Sequence, residues 1–194
     1  MDLIIDFLKL YQKAINAIYD SLENYSTQAS ENIVEDREQP FALLWNEDKI
    51  SSELKQGIFK TIIESTNIKK FRQIIPEFSF LKKILEKKEF IIFGEDNNDD
   101  FFAIRIKTQE IVLIESSYKH FIAIAENELA FLKTLTILIE LQLLYILNTK
   151  PSKVPIEKFR NKCIKTAGGE AYSKYYKFIL VPQGDELIEP LWNF

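Results

Sequence analysis

The chain has 194 residues, enough for one domain with a sizeable core, and its 46% apolar content excludes a disordered protein. A formal charge of −4, from 25 basic and 29 acidic residues, is too mild to point to a class of partner. One cysteine, Cys163, excludes an internal disulfide, and five glycines with six prolines fit a mostly helical chain.

The cysteine count favours a reducing compartment. The first residues, MDLIIDFLKLYQK, carry Asp2 and Asp6 where a secretory signal would carry basic groups, so the expectation is a cytoplasmic protein. Across residues 2 to 25, Ile4, Leu8, Tyr11, Ile15, Ile18, Leu22 and Tyr25 alternate spacings of four and three, which lines one side of a helix. Leu3, Phe7 and Leu10 widen the stripe, as expected of a helix packed on its own domain rather than of a dimerising one.

Asn24 to Pro40 is polar, with Glu31, Glu35, Asp36 and Glu38 against Arg37 alone, and reads as a solvated loop. Phe41 to Trp45 returns to the core as strand or helical turn. A helix is predicted from Ser51 to Glu64, capped by Ser51 or Ser52, with Leu54, Ile58 and Ile62 on one face. Ile68 to Ile75 reads as a second short helix ending before Pro76. Phe78 to Lys88 reads as a third, its basic end (Lys82, Lys83, Lys87, Lys88) suited to a helix C-terminus.

Glu89 to Ala125 holds four short β-branched and aromatic runs, broken at Gly94–Asp100, Lys107–Glu110 and Glu115–Lys119, which predicts an antiparallel meander. Phe90–Phe93 and Ile111–Ile114 are apolar throughout, as in strands covered on both faces. Phe102, Ile104 and Ile106 alternate with Ala103, Arg105 and Lys107, which predicts one face open to water.

From Leu129 to Leu147, 14 of 19 residues are apolar or tyrosine. In a membrane span Lys133 and Glu140 would each cost roughly 2.5–3.5 kcal/mol, so a nearly encircled core helix is the expectation. Asn148–Lys153 is a connection. Pro155 then opens a helix with Ile156, Phe159, Cys163 and Ile164 on its apolar face, Gly168–Gly169 makes a stop or corner, and Tyr172, Tyr175, Tyr176 and Ile179 describe a last helix before Pro182. The tail, Asp185 to Phe194, ends in LWNF and is expected to dock on the body.

No catalytic constellation stands out. Asp96, Asn98 and Asp100 match the start of a calcium loop, but Phe101 replaces its glycine and Lys107 its final glutamate, so an acidic β-turn is the reading. His120 is the one histidine, which leaves no zinc set and no ready triad. Cys163 on an apolar helical face reads as a buried thiol, and an isolated Gly-Gly makes no phosphate loop. No metal or cofactor is expected, and no enzymatic activity.

Charge is unevenly spread. Residues 151–180 carry seven Lys or Arg (Lys153, Lys158, Arg160, Lys162, Lys165, Lys174, Lys177) against Glu157 and Glu170, a balance of +5 that leaves −9 on the rest. With interleaved tyrosines, Lys158, Lys162, Lys165 and Lys174 could contact nucleic acid. The other charge concentrations are acidic: Glu95, Asp96, Asp99 and Asp100 in one turn, and Glu31, Glu35, Asp36 and Glu38 in one loop.

The order strand, glycine, acidic turn, strand, tight turn, strand, link, strand and long helix over Ile91 to Ile139 resembles the SUKH superfamily. Gly94, Ala103–Ile106, Ile124–Ala125 and Phe131–Leu132 occupy the places of that family's glycine, its "ialdl"-like strand and its "iA-x-sf-x-x-Fl" helix opening. The proline-containing helical segment and "nGG" turn usual before its sheet are absent. The resemblance implies a toxin-neutralising immunity protein that binds its cognate toxin without doing chemistry.

Together these readings predict one α+β domain over residues 1–194. Residues 1–88 would be mainly helical, 89–147 would hold a meander of about four strands and its core helix, and 148–194 a C-terminal helical extension. The expected function is toxin occlusion through the two acidic segments, with a nucleic-acid accessory role through the basic helices as the alternative.

Overall fold

The computed structural model describes residues 1–29, 42–70, 72–73, 76, 78–147 and 155–181. The loop acids Glu31, Glu35, Asp36 and Glu38 lie outside the described residues, as do the 148–153 connection and the tail from Pro182.

The fold is α+β, with an antiparallel meander against helices. The strands are β1 (Arg72–Gln73), β2 (Phe78–Lys87), β3 (Phe90–Glu95), β4 (Phe101–Arg105), β5 (Ile111–Ile114) and β6 (Phe121–Ala125), in sequential order. The expected four are β3 to β6; β2 is a fifth full strand and β1 a two-residue addition at its edge.

β2 corrects the helix expected over Phe78–Lys88. Phe78 and Phe80 alternate with Ser79 and bury their rings on one face, and the two-residue turn Lys88–Glu89, with Lys88 at φ +53°, returns the chain to pair Lys87 with Phe90. Pairing with β3 and this burial outweigh the helix-compatible lysines and leucines. Ile68–Ile75 is also not α-helical where described: a 3-10 turn at Ile68–Lys70 precedes β1, and residues 71, 74 and 75 lie outside the described residues.

Three irregularities bend the sheet. Leu81–Ile84 stand against Phe93 alone between β2 and β3, Phe93 is unopposed in β4, and Ile124 is unopposed in β5. Such bulges increase twist and bend their strands. The effect is visible across the face turned away from the helices. Phe90 and Phe121 start at opposite ends of the sheet, three strands apart, yet their rings meet edge to face at 5.6 Å. Two diagonal corners have coiled together, closing a small core of Phe90, Ile92, Ala103, Val112 and Ile114 to which no described helix contributes. That coil explains why β3 and β5 are apolar on both sides. It also corrects the expectation for β4: Ala103 does not face water but is fully buried.

The main core lies on the other face, where Phe59 stacks on Phe93 at 4.2 Å and Phe78 meets Phe102 edge-on at 4.9 Å. Through it runs α4 (Glu128–Leu147), between α1 (Asp2–Ala29) and α5 (Ile156–Ala167). Among the described residues α4 is the one helix long and apolar enough to cross a membrane, and 61% of that stretch is buried in the protein. Leu132, Leu135, Leu138 and Ile139 are fully buried, each worth about 1.5–3 kcal/mol against exposure, while Lys133 points outward. α1 packs on α4 as expected of its stripe, but continues to Ala29, past the expected loop start.

The single helix expected over Ser51–Glu64 is split into α2 (Glu47–Glu53), a 3-10 turn at Leu54–Gln56 and α3 (Ile58–Ser65). Gly57 makes the break at φ +108°, a conformation side chains rarely adopt. The cap of α2 is Asn46, whose Oδ1 accepts from Lys49 N–H at 2.9 Å, not Ser51 or Ser52. Glu128 from α4 accepts the Phe59 N–H at 3.0 Å, placing a carboxylate at the positive end of α3. Before α2, Leu43 is buried and Trp45 bridges Thr66, so this run does return to the core.

The C-terminal helical pair is present. Gly168 and Gly169, both at positive φ, end α5 and lead through a 3-10 turn (Glu170–Tyr172) to α6 (Ser173–Ile179). Tyr176 donates its hydroxyl to the Ile124 carbonyl at 2.8 Å, and Glu126 N–H donates to the Ala167 carbonyl at 2.8 Å, so these helices hold the C-terminal end of β6.

Candidate functional site

The alternation of strands brings the β3–β4 and β5–β6 turns to the same end of the sheet. The first turn closes on itself. Asp96 N–H donates to the Asp100 carbonyl at 3.0 Å, and the Asp96 carboxylate accepts from the N–H groups of Asn98 at 2.7 Å and Asp100 at 3.0 Å. Asp96 is half-buried; burial raises its pKa, against the lowering effect of those N–H bonds.

Asp100 then joins the turns, because its carboxylate accepts from Ser116 N–H at 3.0 Å. It is only 5% exposed and so presents no charge to a partner, unlike the expectation that placed it on a contact surface. Asp99 is exposed at φ +60°, and Glu95 is partly exposed. The four turn acids thus divide: Asp96 and Asp100 shape the backbone, while Glu95 and Asp99 face outward. Among the described residues no group of His, Cys, Asp or Glu is arranged to hold a metal, and the calcium-like spacing is used for this turn.

The β5–β6 turn adds side chains that charge counting does not find. Glu115 N–H donates to the His120 carbonyl at 3.0 Å, Tyr118 N–H donates to the Glu115 carbonyl at 2.7 Å, and residues 116–120 are exposed. Tyr118 sits at φ +59°, uncommon for a bulky residue. Its ring stacks on Phe101 at 5.3 Å and carries the Lys87 ammonium 3.7 Å from its centroid. Phe121 follows, with the Arg105 guanidinium 4.9 Å from its ring centroid. Tyr118 and Phe121 remain 38% and 39% exposed. The sequence signal for them is an aromatic residue inside an otherwise polar turn, ESSYK.

The basic helices offer a different arrangement. Lys158, Lys162 and Lys165 share one side of α5 and Lys174 is exposed on α6, but Lys162 pairs with Glu140 at 3.2 Å and Lys177 with Glu170. Two of the interleaved tyrosines turn inward, Tyr175 and Tyr176 being buried, and the hydroxyl of the partly exposed Tyr172 donates to Glu110 at 3.3 Å. Tyr175 and Tyr176 thus offer no stacking face, whereas Tyr172 is partly exposed and Phe178, four residues from Lys174, is exposed. Cys163 is fully buried, and burial pushes its thiol up to about 12, the opposite of an activated nucleophile.

Comparison with known proteins finds no matching family model, no matching curated protein and no matching solved structure.

Proposed function

We propose that this protein does no chemistry and acts by binding, covering a cognate protein toxin in the reducing interior of the cell. The observation that carries the reading is the end of the sheet where two hydrogen-bonded turns present Glu95, Asp99 and Glu115 beside Tyr118 and Phe121. The exposed carboxylates speed encounter with a basic partner, against the Lys87 and Arg105 cations over the two rings, while the part-exposed aromatic side chains anchor it and slow dissociation. Because the turns are braced by Asp96 and Asp100, little ordering cost remains to be met on binding. The implied likeness to the SUKH superfamily favours the same role.

The test is capture with the tagged chain from its own lysate, including the product of the neighbouring gene. A stoichiometric basic protein that is toxic alone and harmless with this chain is the expected result. Tyr118→Ala and Phe121→Ala should each weaken that complex by about 2 kcal/mol, chiefly through faster dissociation. Charge reversal at Glu95 and Asp99 should instead slow association, more so at low salt. Recovery of nuclease-sensitive material alone would defeat the reading and return attention to Lys158, Lys165 and Lys174.

A further inference from the structure

The two edges of the sheet are finished differently. At β6 the C-terminal end is covered by α6, with Tyr176 on the Ile124 carbonyl. At the other edge, among the described residues, β1 pairs with Phe78 and Ser79 alone. From Phe80 to Lys87, no described residue pairs with the outer side of β2, although the 3-10 turn at Ile68–Lys70 packs against this strand. Lys82, Lys83, Leu85, Glu86 and Lys87 are exposed there, and Leu85 shows 50% of its surface.

An unpaired strand edge is a template for another strand, and its side chains decide which strand. Two copies of β2 would bring lysine-rich segments together, which disfavours self-pairing. An acidic strand would instead meet Lys82, Lys83, Lys87 and Lys88, opposed only by Glu86 and Glu89. Leu85 lies opposite Ile92 on the coiled face, so an apolar residue of the incoming strand beside Leu85 would cover its exposed half.

We propose that the open edge of β2 accepts an extended acidic segment of a partner protein as an added strand. Main-chain hydrogen bonds supply the attraction, Leu85 an apolar contact, and the lysines selection by sign. The edge touches the turn surface through Lys87, whose ammonium lies 3.7 Å from the Tyr118 ring centroid, so the inference is tested at Lys82 and Lys83 rather than at Lys87.

The probe is a short capped peptide alternating glutamate with valine, added to the full isotope-labelled chain. Binding with a dissociation constant of about 1 mM or tighter is expected, with amide shifts and slowed hydrogen exchange confined to Phe80–Lys87 and its neighbours. The K82E/K83E double variant changes only exposed side chains and should weaken binding by about tenfold or more. A peptide of the same charge with a central proline should bind more weakly than the parent, because it cannot complete the ladder. Equal binding of the proline peptide, shifts centred elsewhere, indifference to charge reversal, or no binding would each overturn the proposal.

Discussion

Tyr11, on α1, holds a buried hydroxyl with no hydrogen-bond partner among the described residues, and burial raises its pKa. Its ring lies 5.7 Å from Phe7 and supplies packing that phenylalanine would keep. Tyr11→Phe should therefore leave stability unchanged or raise it by about 1 kcal/mol, read from urea denaturation midpoints. A clear loss would mean that the hydroxyl has a use. Gly94 presents the opposite case: a Cβ there would lie 2.3 Å from Cε2 of Phe78 and 3.1 Å from the Ser79 carbonyl oxygen. Phe78 is itself held edge-on by Phe80 and Phe102 and has little room to yield. Gly94→Ala should cost roughly 1–3 kcal/mol in the same measurement. Here glycine serves close strand packing, not a positive φ.

At the scale of elements, Asp100 is the joint between two turns. Asp100→Ala should cost about 1–3 kcal/mol and speed exchange of the Ser116 amide, whereas Asp100→Asn, which keeps an acceptor, should recover much of both. Equal exchange in wild type and the alanine variant would show that the turns hold together without it. The same residue marks the reach of the sequence. FGEDNNDDFF announces a turn through its polar break, yet whether an aspartate faces water or a neighbouring amide depends on the β5–β6 turn, sixteen residues on. The meander was legible because its strands are apolar and its breaks polar. β2 was hidden: Lys88–Glu89 carries no glycine or asparagine to announce a hairpin, and Leu81–Ile84 interrupt the pairing with β3. Gly57 lies inside the helix expected over Ser51–Glu64, and the carboxylate that helps define its break comes from Glu128, far along the chain. Tyr118 was overlooked because its interest lies in a backbone conformation and a stack on Phe101, which composition does not report.

For the whole molecule, buried acids of high pKa set the response to alkali. Between the ordinary thiol value of 9.0 and about 12, the unfolded chain gives up the Cys163 proton while the folded chain keeps it. The unfolded state then binds fewer protons, so stability falls as pH rises through that window. Burial also holds the Tyr175 and Tyr176 phenols well above 10.0, which adds loss in the same direction. The expected result is a denaturation midpoint that declines above pH 9.0, with Cys163 unreactive to thiol reagents until the chain opens. A midpoint that climbs with alkali would contradict this account.

The strictly sequential strand order has a consequence for the time course of folding. Each full strand finds its partner in the next stretch of chain, so the sheet can grow by successive short loop closures, the kind that cost least entropy. α1 is different, because its partner α4 lies beyond the whole sheet. During synthesis the apolar stripe of Ile4, Phe7, Leu8 and Tyr11 emerges well before Glu128–Leu147 and must wait for it before it can be covered. The interval between them is when the nascent chain is most open to aggregation and to chaperone capture.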